Sequence, residues 1–270
     1  MELAAVRIEM NETELQTALQ DLPLGGLCYL KSVGSTNDIA LDWASQNADD
    51  LSIVVADEQT AGRGRNKRAW HTPPDSALAF SLILHPSAIE KKNISLFTGL
   101  GALALVTSLQ KRFGLQPKIK WPNDVLLDGK KVAGILVETS WLGNEMGHIV
   151  LGVGVNINAA AVPLAEQLTF PATCLEDALG KKIHRPLVLH DILAALIKWR
   201  HLLGTDAFIH AWDENLAFRG EQVWVHGRGG ESLNGKLLGL DPDGSLQVQI
   251  ADKSVQNIHF GDVHLRPIAL

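Results

Sequence analysis

Three short segments combine glycine with charged side chains in spacings that suit ligand chemistry. The first is Gln59-Thr60-Ala61-Gly62-Arg63-Gly64-Arg65. Glycines at 62 and 64 let the backbone turn and bring its N–H groups toward a ligand. Arg63 and Arg65 offer forked cationic donors that suit carboxylate or phosphate oxygens, and Lys67 and Arg68 extend the charge. The spacing is not that of the P-loop, and an exposed basic loop accounts for it equally well. The second segment is Lys120-Trp121-Pro122-Asn123-Asp124, followed by Lys130, Lys131 and Gly134. Asp128-Gly129 lies between the two parts and is a strong hairpin signal, so Asp124 and Lys131 are expected near one another on adjacent strands. A carboxylate there can hold Mg2+ against nucleotide phosphates, and a lysine can neutralise charge on a transferring phosphoryl group. By itself the segment is explained more simply as a polar hairpin with a solvated lysine. The third segment, Gly152-Val153-Gly154-Val155-Asn156-Ile157-Asn158, lacks the third glycine of a dinucleotide fingerprint. A core strand packed tightly on a helix explains it as well.

The elements that must position these segments follow from hydrophobic period. A helix is predicted over 12–20, a turn-rich link over 22–26 and a strand over 27–30. Ser35-Thr36-Asn37-Asp38 opens a second helix with a capping-box-like start. Residues 51–56 and 77–84 read as buried strands. The clearest helix is 94–113, where Leu96, Leu100, Leu103, Val106 and Leu109 recur at three and four, with Gly99 and Gly101 weakening it locally. A strand over 118–121 stops at Pro122. Segments 125–127 and 132–138 pair across the Asp128-Gly129 turn, and 148–157 is an apolar run whose glycines suggest close approach of backbone or ligand. Helices follow at 187–203 and 206–216. Beyond Phe218 the texture changes to short strands at 223–225, 236–240, 246–250 and 255–259, separated by Gly227, Gly229-Gly230, Asp243-Gly244 and Gly261-Asp262. About 50 such residues make a small all-β barrel that leans on its neighbour. The expected class is α+β, a mixed central β-sheet with flanking helices over 1–218 and the β-barrel over 219–270.

With 270 residues and 46% hydrophobic content, the chain can bury a substantial core. The net charge of −6 runs against a general nucleic-acid binder, which gains most non-specific affinity from basic contacts to phosphate. No apolar run reaches membrane-span length, and 1–10 lacks the basic and apolar regions of a signal peptide. Cys28 and Cys174 stand far apart, which argues against a disulfide framework or a cysteine zinc site. These features together point to the cytoplasm. His259 and His264 read as structural or exposed. The seven tryptophans are expected in core and interface, except Trp70 and Trp121 beside the site motifs.

Taken jointly, the segments resemble the biotin–protein ligase family. STND at 35–38, EQTAGRGR at 58–65, KWPNDVLL at 120–127, KKVAGILVE at 130–138 and GVGVNIN at 152–158 occur in that family's order and spacing. The resemblance is strong over 32–158 and looser through the later helices to FGDVHLRP at 260–267. It implies a class II synthetase-like catalytic fold with an SH3-like C-terminal barrel. It further implies an ATP-dependent ligase that makes biotinyl-5'-AMP and passes biotin to a lysine of a biotin carboxyl carrier protein domain of the acetyl-CoA carboxylase type. Ser35, Thr36, Asn37 and Gln59 would then serve the biotin head group. Gly62, Arg63 and Arg65 would close over biotin and adenylate, and Gly134 and Gly154 would make room for the ligand. Lys131 would bridge the biotin carboxylate and the α-phosphate. Arg68, Trp70, Asn123, Asp124 and Asn156 would serve ATP, whose Mg2+ Asp124 would contact, and the adenine cover would lie between 161 and 173.

In the implied chemistry a carboxylate attacks the α-phosphate, so two anions must approach. Lys131, the arginines and Mg2+ offset their repulsion. An acceptor amine then displaces AMP, with Asp124 a candidate to take its proton. Lys131, Arg63 and Asp124 are thus the expected catalytic set. About 30 residues precede Ser35, too few for the winged helix-turn-helix that some members carry, so no DNA binding is expected. An exposed sheet edge is expected to support a homodimer or to dock the carrier. A lipoate or octanoate ligase or transferase, and a non-catalytic biotin- or nucleotide-binding protein, are the alternatives.

Overall fold

The structure, a computed structural model, describes residues 10–142, 145–226, 232–259 and 264–267. Helix α1 (Glu12–Leu19), capped by Asn11 Oδ1 on the Glu14 N–H, leads into strand β1 (Gly26–Val33). Helix α2 (Thr36–Ser45), β2 (Ser52–Gln59), β3 (Ala77–Leu84), the short α3 (Ala88–Lys92) and the long α4 (Leu96–Phe113) follow. Then come β4 (Lys118–Lys120), β5 (Asp124–Leu127), β6 (Lys130–Leu142) and β7 (Glu145–Asn156). These seven strands form one sheet in the order β1-β2-β3-β7-β6-β5-β4. Only β1 and β2 run parallel; the other neighbours are antiparallel. Helices α5 (Leu175–Leu179), α6 (Arg185–Arg200) and α7 (Asp206–Glu214) complete this part. Among the described residues no helix is long and apolar enough to cross a membrane.

The sheet is covered on both faces. On one face α4 and α6 bury Leu100, Leu103, Leu109, Leu189, Ile192 and Leu196 against strand residues such as Phe80, Leu82 and Leu151. Each such side chain stabilises the fold by about 1.5–3 kcal/mol relative to exposure. Gly99 and Gly101 do not interrupt α4, because tertiary burial outweighs their local propensity. On the other face α2 packs Ala40 and Ala44 on Val54, Ile83 and Val150. Strand alternation places Ser81, Gly152 and Gly154 on this second face, beyond the N-terminus of α2. The candidate site forms there.

The C-terminal strands β8 (Gln222–His226), β9 (Ser232–Leu240), β10 (Leu246–Gln249), β11 (Val255–Ile258) and β12 (His264–Pro267) form an antiparallel sheet in the order β11-β10-β9-β8-β12. No ladder joins β11 to β12 among the described residues, so the small barrel stays open along that seam. Its Val223, Val225, Leu237, Leu246 and Val248 continue the main core. Polar ties reinforce the junction: Ser95 Oγ donates to Asp243 O at 2.9 Å, and Leu240 N to Asp213 Oδ1 at 2.9 Å. The expected separators Gly227, Gly229-Gly230 and Gly261-Asp262, and the segment 1–9, lie outside the described residues.

Candidate active site

A cavity of about 630 Å3 opens beyond α2 and collects all three segments. It is lined by every residue singled out above for a site role: Ser35, Thr36, Asn37, Gln59, Gly62, Arg63, Arg65, Arg68, Trp70, Asn123, Asp124, Lys131, Gly134 and Asn156. Its charge is one-sided. Arg63, Arg65, Arg68, Lys120 and Lys131 face a single carboxylate, Asp124. Such a walled cleft concentrates anionic ligands.

The basic segment is a closed excursion rather than a loose loop. Isolated antiparallel bridges pair Gln59 with Thr72 and Arg63 with Ala69. Trp70 N donates to Gly62 O at 2.8 Å and Gly64 N to Arg68 O at 2.7 Å. Asn66 and Lys67 take left-handed backbone angles at the tip, and Arg65 Nη1 donates to Asn123 Oδ1 at 3.3 Å. Arg63 Nη2 is held by Asp38 Oδ1 at 2.5 Å and Glu138 Oε2 at 3.0 Å.

At the start of α2 the expected capping box does not form. Ser35 occupies the N-cap position but makes no side-chain cap bond, and Asp38 pairs with Arg63 instead of the helix backbone. The hydroxyl of Ser35 is thereby left to the cavity. Thr36 donates to Gln59 Oε1 through its N–H at 2.9 Å, with its hydroxyl 3.1 Å from the same oxygen. Gln59 Nε2 then donates to Thr72 Oγ1 at 3.2 Å.

Lys131 reaches the site because of a bulge. Asp124 pairs with Gly134 and Leu126 with Lys131, with a register shift between Val125 and Leu126. The extra residue on β6 turns Lys131 onto the face that already carries Asp124 and Gly134. The turn itself is as read: Asp128 and Gly129 have φ of 49° and 73°, the left-handed pair of a tight hairpin. Lys131 Nζ lies 2.5 Å from Asp124 Oδ1 and 5.3 Å from the centre of a Trp70 ring. Lys120 Nζ stands 3.6 Å from the other Asp124 oxygen. Burial pushes the Asp124 carboxyl up, but the Lys131 and Lys120 ammonium groups outweigh it and leave the group below the ordinary carboxylate range.

The glycines of the third segment serve close approach. A Cβ on Gly152 would fall within 3.0 Å of Asn37 Oδ1, and one on Gly154 within 3.0 Å of the Trp70 indole. Gly134 is less tight, with Trp70 and Lys131 atoms 3.3–3.4 Å from where a Cβ would stand. Asn37 and Trp70 thus approach the strand backbone more closely than a Cβ would allow. The Trp70 Nε1 donor is buried with no hydrogen-bond partner, a group that a ligand acceptor would satisfy. Across the cavity Asn156 Nδ2 donates to Thr173 O at 3.0 Å, Lys131 N to Pro171 O at 2.7 Å, and Thr173 N to Lys131 O at 2.9 Å. The segment before Thr173 is therefore stitched along β6, and Pro163, Leu168 and Phe170 from it join the lining.

Trp121 departs from expectation. It is fully buried, takes no part in the lining, and donates Nε1–H to Gly244 O at 3.0 Å in the C-terminal sheet. Trp141 and Trp224 lie exposed on strands rather than in the core. Sequence reasoning missed three supports of the site: Lys120, Ser81 and Glu138. Ser81 left a trace, as the one polar residue in the strand ALAFSLIL. Among the described residues no group of three His, Cys, Asp or Glu is placed to hold a metal. Asp124 already faces two ammonium groups, so its surroundings do not fit a protein-held Mg2+.

Residues 29–156 match the Biotin/lipoate A/B protein ligase family, and residues 219–266 the Biotin protein ligase C terminal domain. The chain is 33% identical to the Bifunctional ligase/repressor BirA of Bacillus subtilis over 261 residues, covering 95% of this chain and 79% of that protein. It is 36% identical to the biotin–acetyl-CoA-carboxylase ligase of Paracoccus denitrificans over 227 residues, covering 80% and 91%. The solved biotin protein ligase of Aquifex aeolicus in complex with biotin and ATP superposes with a TM-score of 0.78 at 28% identity, covering 90% of this chain and 99% of that one. With its motifs gathered in one cationic cavity and its relatives matched over most of their length, the chain belongs to the biotin protein ligase family.

Proposed function

We propose that the chain uses ATP to activate biotin as biotinyl-5'-AMP and then transfers the biotin to a lysine of a carboxyl carrier domain. The observation that carries this reading is the cavity with five cationic side chains and one carboxylate, set beside a hydrogen-bonded polar pocket. Biotin offers a polar ureido head and a carboxylate, and ATP offers the phosphates. Ser35, Thr36, Asn37 and Gln59 serve the head group, and the apolar stem runs past Trp70 toward Lys131. In the first step a biotin carboxylate oxygen bonds to the α-phosphorus while the bond to the bridging oxygen of pyrophosphate breaks. Lys131 lies where negative charge grows, and Arg63, Arg65 and Arg68 hold the remaining oxygens. Asn123, Trp70 and Asn156 complete the nucleotide side. Asp124 acts first as the counter-ion that fixes Lys131. ATP brings Mg2+ on its own phosphates as part of the substrate.

In the second step the acceptor amine attacks the acyl carbon, the anhydride bond to phosphate breaks, and AMP leaves. The amine's surplus proton passes to a nearby base, for which Asp124 is the candidate carboxylate. The net charge of −6 disfavours phosphate-backbone contacts, so we expect carrier protein rather than DNA as the macromolecular partner. A test is incubation with biotin, MgATP and a purified biotin carboxyl carrier domain, read by intact mass and peptide mapping. One biotin on a single lysine supports the reading. An unmodified carrier in the presence of active, folded protein contradicts it.

A further inference from the structure

Glu138 lies outside the cavity lining, and the mechanism above makes no use of it. Its Oε2 accepts from Asn37 Nδ2 at 2.7 Å and from Arg63 Nη2 at 3.0 Å. Asn37 is buried, and its Oδ1 accepts the hydroxyl of Ser81 at 2.5 Å. Ser81, with no exposure at all, stands 2.8 Å from Thr36 Oγ1. A hydroxyl has only one proton, and buried polar groups must be paired. One direction satisfies the whole chain: Thr36 donates to Ser81, Ser81 to Asn37, and the Asn37 amide to Glu138. The row runs from the head-group pocket to a carboxylate, and that carboxylate holds the arginine of the closing segment. Both of Arg63's carboxylate partners engage Nη2, which leaves Nη1 and Nε to turn toward a ligand. Asp38 is the more exposed partner, with side-chain exposure of 56% against 29% for Glu138, so water screens its pairing more strongly.

We propose that Glu138 is a positioning residue: held by the row that runs from Thr36 through Asn37, it anchors Arg63 over the cavity and so serves retention of the adenylate more than binding of the head group. This rests on the ligase reading for its catalytic consequence but not for the anchor itself. Glu138→Gln tests the charge rather than the shape. Its amide oxygen, set where Oε2 lies, still accepts from Asn37 and Arg63, but the charge assistance to the Arg63 bond is gone. Two measurements on the full chain test the proposal. In ligand-free protein, trypsin cleavage between Arg63 and Arg68 should rise about tenfold in Glu138→Gln, the scale of one lost charge-assisted bond, and rise less in Glu138→Asp. With biotin and MgATP, dissociation of biotinyl-AMP should also quicken about tenfold, while the biotin concentration for half-maximal pyrophosphate release moves less than about threefold. Wild-type cleavage in the Gln variant overturns the anchor. Dissociation and half-saturation shifting in parallel overturn that selective role and reduce Glu138 to general support of the pocket. Should wild type release no pyrophosphate with biotin, the ligase reading fails, and the trypsin comparison alone still decides the anchor.

Discussion

Replacing Lys131 with Met removes one charge and keeps most of the side-chain volume. Two separate costs follow. In the ground state Asp124, at 14% side-chain exposure, loses its 2.5 Å partner but keeps Lys120 at 3.6 Å. Breaking a fully buried pair costs about 3–5 kcal/mol. Lys131 is 26% exposed and a second ammonium remains, so the loss here should be about 1–2 kcal/mol. At about 2–4 °C per kcal/mol for a chain of this size, the melting temperature falls by several degrees and the protein stays folded at 25 °C. In the transition state the loss is larger. Removing one preorganised donor to developing charge costs about 2.7–4 kcal/mol, or 10²- to 10³-fold in rate. Pyrophosphate release at saturating biotin and MgATP should therefore drop at least about 100-fold. Adding Asp124→Asn to Lys131→Met neutralises the remaining member of the pair but takes the carboxylate from Lys120, so only part of the melting temperature should recover while the rate does not. A Lys131→Met enzyme within tenfold of wild type, or a rate that recovers together with stability in the double variant, would refute the assignment of Lys131 to the transition state.

Gly154→Ala should push the Trp70 indole off the sheet. Because Trp70 is only half-buried it can swing outward, so stability should change by about 1 kcal/mol or less while adenylation falls about 100-fold from misplacement, read by tryptophan fluorescence and pyrophosphate release. Arg63→Gly should still form biotinyl-AMP but release it, giving biotin on bystander proteins; full retention of the adenylate in that variant counts against the clamp. Arg185 is 5% exposed and pairs with Asp57 at 2.6 Å and Asp75 at 2.9 Å, so Arg185→Ala removes the buried cation that two carboxylates share and should cost about 3–5 kcal/mol in chemical denaturation. His148 is held below the ordinary histidine range, first by burial and then by His85 and Lys91. The unfolded chain therefore binds this proton more readily, and stability should fall as pH drops from the ordinary histidine range toward the depressed native value. His148→Asn should flatten that part of the melting-temperature profile.

Local pattern was legible where local physics decides. The strand ALAFSLIL falls on 77–84 as read, because an unbroken apolar run between polar flanks has one good burial. The Asp128-Gly129 turn formed because those residues tolerate left-handed angles. The site residues were gathered by resemblance, and the structure brings all of them to one cavity. What stayed hidden depends on register and distant partners. The β6 bulge that aims Lys131 has no sequence mark. Ser35 makes no cap bond, and Asp38 pairs with Arg63, 25 residues away, in place of its own helix. Trp121 looked like a site residue from its neighbours. In the turn after β4 its ring enters the core instead, where Gly244 O receives its indole N–H. The Ser81–Asn37–Glu138 row spans three elements and has no local signature at all.

The central claim is tested most directly by pyrophosphate release from MgATP with biotin, lipoate or octanoate as the sole acid and no carrier present. The account predicts release with biotin, limited to about one equivalent per site when the adenylate is retained, and little with the other two acids. Release driven by lipoate or octanoate instead, or none from protein that binds biotin, would contradict it.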